Sequence, residues 1–180
     1  MQIKYNIEPD DFVAFNLSYM YSNPVMRANM RNTRIISACI VLFGGCALMQ
    51  FFGKLSPLAV VIYVVLAGVI FFALPIMTKN KVRKGVLKMI ANAQGQQICT
   101  EKTMTLDEKE LILVGGGEDS HYTYDKVERV TDDAEHYFIY VGAMAALIVP
   151  YRAFATGEEK AEFYNTLCER VKQNGGKIES

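Results

Sequence analysis

The two histidines are the side chains best suited to acid–base chemistry near neutral pH. His121 and His136 each lie beside acidic residues, in segments with strand or turn character. Such a residue is typically a solvated histidine at the edge of a sheet. We expect that role for both, rather than a metal ligand or a catalytic base.

The acidic residues of the C-terminal half are dense but lack the spacing of a metal site. An EF-hand loop places oxygen ligands at fixed alternate positions and a glutamate at its end, and no such pattern is present. We therefore expect a solvated acidic rim rather than a calcium site, formed by Asp119, Asp125, Asp132, Asp133 and Glu135.

The remaining candidates for chemistry also lack a motif. The glycines of 115–117 are not followed by the lysine of a phosphate-binding loop, and no serine or threonine stands in a nucleophile motif. Cys39, Cys46, Cys99 and Cys168 show no CxxC spacing. The sequence predicts a protein that is not an enzyme, with no catalytic residue, no metal and no cofactor.

Charge is divided unevenly along the chain. Residues 1–94 carry ten Lys/Arg and three Asp/Glu, whereas residues 95–180 carry nine Lys/Arg and sixteen Asp/Glu. Such asymmetry indicates a membrane or nucleic-acid face on one side. The long uncharged segments in the basic half favour a membrane, and no nucleic-acid partner is predicted.

Two apolar segments have the length of transmembrane helices. Ile35–Phe52 and Leu58–Met77 contain no charged residue, and as helices they would be roughly 27 Å and 30 Å long, close to the hydrocarbon core of a bilayer. The alternative is a pair of buried helices in a soluble bundle, but such helices normally keep a polar face and these segments have none. We predict a transmembrane hairpin within residues 24–94.

The connection between the two segments, 53–57, is short, so both chain ends should lie on one side of the membrane. Lys54 is the one cation of this connection, whereas eight cations flank the other ends of the segments. By the positive-inside rule, we expect a multi-pass protein of the plasma membrane with both termini in the cytoplasm.

The eight flanking cations are also candidate contacts for anionic lipid headgroups, since no acidic residue lies between Asp11 and Glu101. An alternative is that they only fix the orientation of the hairpin. They are Arg27, Arg31, Arg34, Lys79, Lys81, Arg83, Lys84 and Lys88.

The N-terminal arm, residues 1–23, predicts a strand and then a short helix. Ile3, Tyr5 and Ile7 alternate with polar residues, the period of a half-buried strand. Pro9 is suited to a first helical turn, and the helix should break at 22–24. We expect this arm to join the domain formed by the C-terminal half.

Residues 95–174 predict five short antiparallel strands closed by one helix, followed by a tail at 175–180. The strands are expected at 98–106, at 110–114, within 121–132, and on either side of Gly142, with a loop at 115–120. Thr156 and Glu159 form a capping box before the helix. The expected buried face of that helix consists of Ala161, Tyr164, Leu167, Cys168 and Val171.

A strand meander closed by a C-terminal amphipathic helix is the plan of pleckstrin-homology-like domains. The tract from Tyr124 to Phe154 resembles the YcxB-like family of bacterial membrane proteins, in which two spans precede such a domain. The resemblance implies an α+β fold with a two-span helical hairpin, and no enzymatic activity. The residues that match the family's motif are Tyr124, Val127, Pro150, Arg152 and Phe154; for Arg152, we expect an ion pair at the strand-to-helix corner.

Three functions are consistent with this organisation. The first is a cytoplasmic interaction domain, held at the membrane, that binds a protein partner. The second is anionic-lipid sensing through the basic cluster. The third is a transport accessory or a toxin-immunity membrane protein. Membrane lipids are expected partners, and a homo-oligomer is left open.

Overall fold

The computed structural model describes residues 1–53, 56–92, 99–142 and 145–175, except for the side chain of Glu118. The chain divides into two compact units. We call Asn16–Gly85 the helical unit, and Met1–Phe15 together with Val86–Ser180 the β unit. The expected coarse fold is confirmed: it is α+β, with two long apolar helices, antiparallel sheets and a C-terminal helix.

Helix α1 (Pro9–Ser22) ends where the sequence predicted, and α2 (Pro24–Cys39) begins two residues later. The Asn23 side-chain oxygen accepts hydrogen bonds from the backbone N–H groups of Val25 and Met26, at 2.9 Å and 3.2 Å. Asparagine is a preferred N-cap because it satisfies donors that the first helical turn leaves free. The break between the helices therefore has a local cause.

The helix that begins at Pro24 continues to Phe51 through one π-helical turn. This turn, Ile40–Gly44, separates α2 from α3 (Gly45–Phe51). The second long helix, α4, spans Pro57–Ile90. Pro24–Phe51 and Pro57–Ile90 contain 28 and 34 residues, and both are long and apolar enough to cross a membrane by length and composition. Lys54, the one cation of the predicted connection, lies outside the described residues.

Two contacts show that the two long helices run antiparallel. Arg34 in the first helix lies 4.9 Å from the ring centroid of Phe71 in the second. At Gly45, an added Cβ would fall 2.2 Å from an edge carbon of the Tyr63 ring. As residue numbers rise along the first helix, the partner numbers fall along the second.

Most of the large apolar side chains that are described in the helical unit are exposed, and the others are half-buried. Among its described residues, Ala67 alone is buried. The most apolar stretch is 0% buried in the first long helix and 6% buried in the second. A pair of helices in the core of a soluble bundle would be mostly buried, so this alternative does not describe the observed unit.

The β unit contains two antiparallel sheets. The first has the strand order β1 (Gln2–Asn6), β2 (Glu101–Leu106), β3 (Glu110–Gly115) and β4 (Glu118–Thr123). The second consists of β5 (Arg129–Asp132), β6 (His136–Tyr140) and β7 (Ala146–Pro150) in chain order. The N-terminal strand pairs with β2, with Gln2 opposite Thr105 and Asn6 opposite Glu101.

Two predictions about these strands were wrong. The predicted loop at 115–120 is reduced to a two-residue turn, because Gly116 and Gly117 both adopt positive φ, at 70° and 84°, as a tight hairpin turn requires. The predicted extended stretch at 121–132 is interrupted by a 3-10 turn at Tyr124–Lys126. It therefore contributes to both sheets, and the C-terminal half has six described strands instead of five. Ile98, the predicted start of β2, lies outside the described residues.

The final helix, α5 (Gly157–Gln173), closes the core. Its cap is confirmed: the Thr156 hydroxyl accepts from the Glu159 N–H at 3.1 Å, while the Glu159 carboxylate accepts from the Ala155 N–H at 2.8 Å. Leu167 and Val171 are buried as predicted, but Ala161 is exposed. Phe163, which was not predicted, is fully buried on this face of the helix. The centroid of its ring lies 5.2 Å from that of Phe154. Tyr164 and Cys168 are half-buried.

Candidate functional site

Most of the predicted lipid contacts are exposed on the two long helices. Arg27 and Arg31 are exposed on α2, and Arg34 is half-buried there. On α4, the remaining members of the set are exposed; they are Lys79, Lys81, Arg83, Lys84 and Lys88. Lys88 belongs to the β unit, and the other seven belong to the helical unit.

The structure separates these cations into two groups. The arginines of α2 are spaced i, i+4 and i+7, which places them on one face of the helix. All three line a groove of about 730 Å³ between α2 and α4. The cations of α4 are not among the described residues that line this groove. The opposite wall includes Leu74, Pro75 and Thr78.

Arg34 has the most unusual environment of the three arginines. Its guanidinium lies over the ring of Phe71, with 4.9 Å from the central carbon to the ring centroid, which is within the range of a cation–π interaction. Its Nε is buried and has no hydrogen-bond partner among the described residues. A buried donor without a partner is costly, so this arginine is suited to an anion that enters the groove.

The α4 wall of the groove is shaped by Pro75. Proline has no backbone N–H, so the carbonyl of Phe71, four residues earlier, lacks its usual helical donor. One turn later, the Thr78 hydroxyl donates to the Leu74 carbonyl at 2.9 Å. The groove therefore combines three cationic side chains with an apolar wall that includes a proline within a continuous helix.

A second cluster of charged side chains lies in the β unit. Asp11 of α1 and His136 of β6 are both buried, and the Asp11 carboxylate accepts a hydrogen bond from His136 Nε2 at 2.9 Å. His136 Nδ1 donates to Asp133 at 3.0 Å. Both ring nitrogens face carboxylate oxygens, and this arrangement favours the doubly protonated imidazolium form of His136. The prediction of a solvated edge histidine is wrong for His136. It holds for His121, which is exposed and lies 3.1 Å from Glu110.

Arg152 completes this cluster. Its guanidinium donates to both Asp11 oxygens, with 2.8 Å from Nη1 to Oδ1, and also to the Asn6 carbonyl at 3.0 Å. The predicted ion pair of Arg152 is thereby observed, and its partner is Asp11. Asp11 also accepts from the Glu8 N–H at 2.7 Å, which is half of a helix capping box. One carboxylate thus joins the start of α1 to β6 and to the turn after β7.

The hydrogen bonds of the cluster determine its protonation. Burial by itself would raise the pKa of Asp11, but the hydrogen bonds from His136 and Arg152 outweigh it and hold that pKa well below its usual range. For His136, burial acts to lower the pKa, and the two carboxylates outweigh it and raise the pKa above its ordinary value. The interactions within the cluster therefore favour the charged forms of both side chains.

The other motif residues are core residues. Tyr124 is fully buried, and its hydroxyl donates to the Asp107 carbonyl at 2.8 Å. Val127, Pro150 and Phe154 are buried as well. Among the described parts of the chain, no group of three or more His, Cys, Asp and Glu side chains is arranged to hold a metal ion. The motif as a whole therefore stabilises the β unit.

The sequence of this unit was compared with known families. Residues 106–167 match the model of the family described as YcxB-like protein. This segment of the chain is similar to the YcxB-like family. The family resemblance is thereby confirmed, and the YcxB-like match contains all five motif residues, from Tyr124 to Phe154. The N-terminal arm and the two long helices lie outside the match. Neither the curated proteins nor the solved structures contain a match to the chain.

Proposed function

We propose that this chain is an integral membrane protein whose two long helices cross the bilayer as a hairpin and hold the YcxB-like segment at the membrane surface. The observation that carries this proposal is the exposure of the apolar side chains on both helices. Contiguous apolar surface of this extent requires a cover, and a lipid bilayer provides one for helices of this length.

The pairing of β1 with β2 supports two crossings rather than one. These strands are neighbours in one sheet, yet the whole helical unit lies between them in the chain. A segment that leaves a sheet and returns to the same sheet must cross a membrane an even number of times. The N-terminal strand and the YcxB-like segment then lie on one side, which we assign to the cytoplasm because the flanking cations favour that side.

Cysteine labelling tests this arrangement. In a variant whose four native cysteines are replaced by serine, single cysteines at Ser56, Asp119 and Lys160 report on the helix connection and on the β unit. Labelling of intact cells with a membrane-impermeant maleimide should modify only the cysteine at position 56, and permeabilised cells should expose the other two. Labelling of position 119 or 160 in intact cells would overturn the orientation.

We further propose that the β unit has a pleckstrin-homology-like fold and acts without catalysis, by binding a protein partner. Its four-stranded and three-stranded antiparallel sheets with one C-terminal helix support the fold. The partner proposal is supported by β4, which among the described strands pairs with β3 alone and lies at one edge of its sheet. Open edges accept an added strand from another chain. The exposed Asp119 on this edge favours a basic peptide.

Site-specific photo-crosslinking in cells tests the edge. A photoreactive amino acid in place of His121, on β4, should give one adduct of defined mass. The matched control replaces Glu169, which is exposed on α5, and should give none. The Asp119→Lys substitution should reduce the adduct severalfold by repelling a basic strand. Equal adducts from both positions, or none from position 121, would exclude β4 as the binding edge.

Binding of anionic lipids through the basic ends of the hairpin is a second candidate function. It is favoured by one specific observation, the groove lined by the arginines of α2. This function does not exclude a protein partner, because the groove lies in the helical unit and β4 in the β unit.

A further inference from the structure

The groove between α2 and α4 contains positive charge that its own unit does not neutralise. Residues 16–85 include no aspartate and no glutamate. Arg27, Arg31 and Arg34 converge on the groove, and the buried Nε of Arg34 has no hydrogen-bond partner among the described residues. An anion with several acceptor oxygens would satisfy this set, and a phosphate matches the planar donor geometry of arginine.

The surroundings of the groove indicate an amphiphile rather than a free ion. Its wall includes the apolar side chains of Met30, Leu74 and Pro75. Directly beyond Arg34 in the chain, Ile35 and Ile36 are exposed. Cationic and apolar surfaces therefore meet at the N-terminal end of the predicted span, where Ile35 follows Arg34. A lipid headgroup and its first acyl carbons have the same two-part chemistry.

The volume of the groove is also suitable. At about 730 Å³, it is within the range of pockets that hold small molecules, and it exceeds what one inorganic phosphate would fill. Basic pockets between membrane helices at the cytoplasmic side are a known mode of phospholipid headgroup binding.

We propose that this groove binds the headgroup phosphate of one anionic phospholipid molecule. The guanidinium groups of Arg27, Arg31 and Arg34 contact the phosphate, and Leu74 and Pro75 contact the glycerol and the upper acyl carbons. The inference rests on the proposed membrane insertion. Beyond insertion, the inference specifies a site that binds one lipid molecule. Such a site is distinct from diffuse attraction between the exposed cations of α4 and the membrane surface.

Native mass spectrometry of the full chain, purified in a mild detergent, tests the site. With added phosphatidylglycerol the protein should retain one lipid, and with phosphatidylcholine of the same acyl chains it should retain none. Each cation near an anionic lipid contributes about a fivefold gain in affinity. The Arg27→Gln/Arg31→Gln variant should therefore bind phosphatidylglycerol about 25-fold more weakly.

The matched control is Lys81→Gln/Lys84→Gln, which removes the same charge from exposed positions of α4 outside the lining of the groove. It should bind with an affinity within about twofold of the original protein if the groove is the site. Equal losses in the two double variants would overturn the inference in favour of diffuse attraction. Displacement of the lipid by an equal concentration of soluble glycerol phosphate would overturn the assignment to a lipid.

A third variant, Arg34→Lys, keeps the charge but removes the planar group that lies over Phe71. It should also weaken binding, whereas an unchanged affinity would contradict a role for the guanidinium geometry. Resistance to carbonate extraction from native membranes is measured in parallel for every variant. If carbonate extracted the original protein from the membranes, the proposed membrane insertion would be refuted. If the original protein resisted extraction but retained no lipid, only this inference would be refuted.

Discussion

The two units of this protein handle charge in opposite ways. In the β unit, the buried charges of Asp11 and His136 are satisfied within the unit, together with Arg152 and Asp133. In the helical unit, three arginines line one groove and the sequence from 16 to 85 supplies no carboxylate for them. Buried charges in a stable fold are normally paired, so the first arrangement stabilises structure and the second is suited to an external anion.

The same contrast holds for apolar surface. The β unit covers its largest apolar side chains, such as Phe138 and Phe163, which are fully buried. The helical unit exposes side chains of comparable size, such as Phe43 and Phe72, at 67% and 73%. The hydrophobic effect stabilises the β unit from within. The proposed membrane insertion would instead cover the apolar surface of the helical unit with lipid.

The largest expected effect comes from breaking the charge cluster of the β unit. Asp11→Asn keeps the shape of the side chain but removes the negative charge that faces Arg152 and the buried His136. Removal of one partner from a buried ion pair typically costs about 3–5 kcal/mol, because the remaining charge is left uncompensated. We expect a loss of that size in the free energy of unfolding, measured by urea titration with pulse proteolysis.

The control for this substitution is Asp10→Asn, one residue away in the first turn of α1 but exposed. It should change the free energy of unfolding by less than about 1 kcal/mol, as surface substitutions usually do. If both variants lost the same stability, the effect would arise from the helix dipole and not from the buried cluster.

The cluster also illustrates what the sequence could not predict. Arg152 was expected to form an ion pair, but nothing local identified Asp11, which lies 141 positions earlier. His136 was interpreted from its acidic neighbours in the chain, which suggested exposure. Its burial is caused by α1, which packs against the same strand through Phe15, 5.8 Å from the ring of Phe138. Long-range packing of this kind leaves no periodic signal in one sequence.

By contrast, composition and spacing were sufficient for the existence of the two long helices, although α4 continues to Ile90, beyond the predicted span that ends at Met77. The apolar segments predicted the two long helices because length and hydropathy are local properties. The cap at Thr156 was found because its partner is three residues away. Within the basic cluster, the sequence did not separate the groove-lining arginines from the lysines of α4. The signals that could have done so are the i, i+4, i+7 spacing of the arginines and the position of Pro75.

A second, smaller effect is expected from the contact between the long helices. In Gly45→Ala, the added Cβ would lie 2.2 Å from the Tyr63 ring, so the ring or the helix must move. Overpacking of this kind typically costs about 1–3 kcal/mol. We expect the variant to unfold at a lower mole fraction of SDS in mixed micelles, followed by circular dichroism.

Gly44→Ala is the matched control for this substitution, since an added Cβ at the neighbouring position meets nothing within 4 Å. It should unfold at the same mole fraction of SDS as the original protein, or slightly higher because alanine is the better helix former. A loss of stability equal to that of Gly45→Ala would mean that the π-helical turn, rather than the Tyr63 contact, is sensitive to the change.

The smallest expected effect is a difference between the two units in how their stability depends on pH. Because the pKa of His136 is raised in the folded state, its stabilising contribution is complete below its unfolded pKa of about 6.5 and is lost as the pH rises through the folded pKa. The lowered pKa of Asp11 acts in the other direction, since its contribution is present above about 3.9 and is lost as the pH falls through the folded pKa.

The helical unit has no such groups, because residues 16–85 contain no aspartate, glutamate or histidine. Hydrogen exchange followed by mass spectrometry, corrected for the intrinsic pH dependence of exchange, measures both units in one sample. Between about pH 5 and 8, peptides from α4 that precede residue 86 should keep constant protection, whereas those from β6 should lose protection toward the alkaline end. In His136→Gln the alkaline loss in β6 should disappear, since glutamine does not titrate. Persistence of that slope would assign the alkaline loss to a group other than His136.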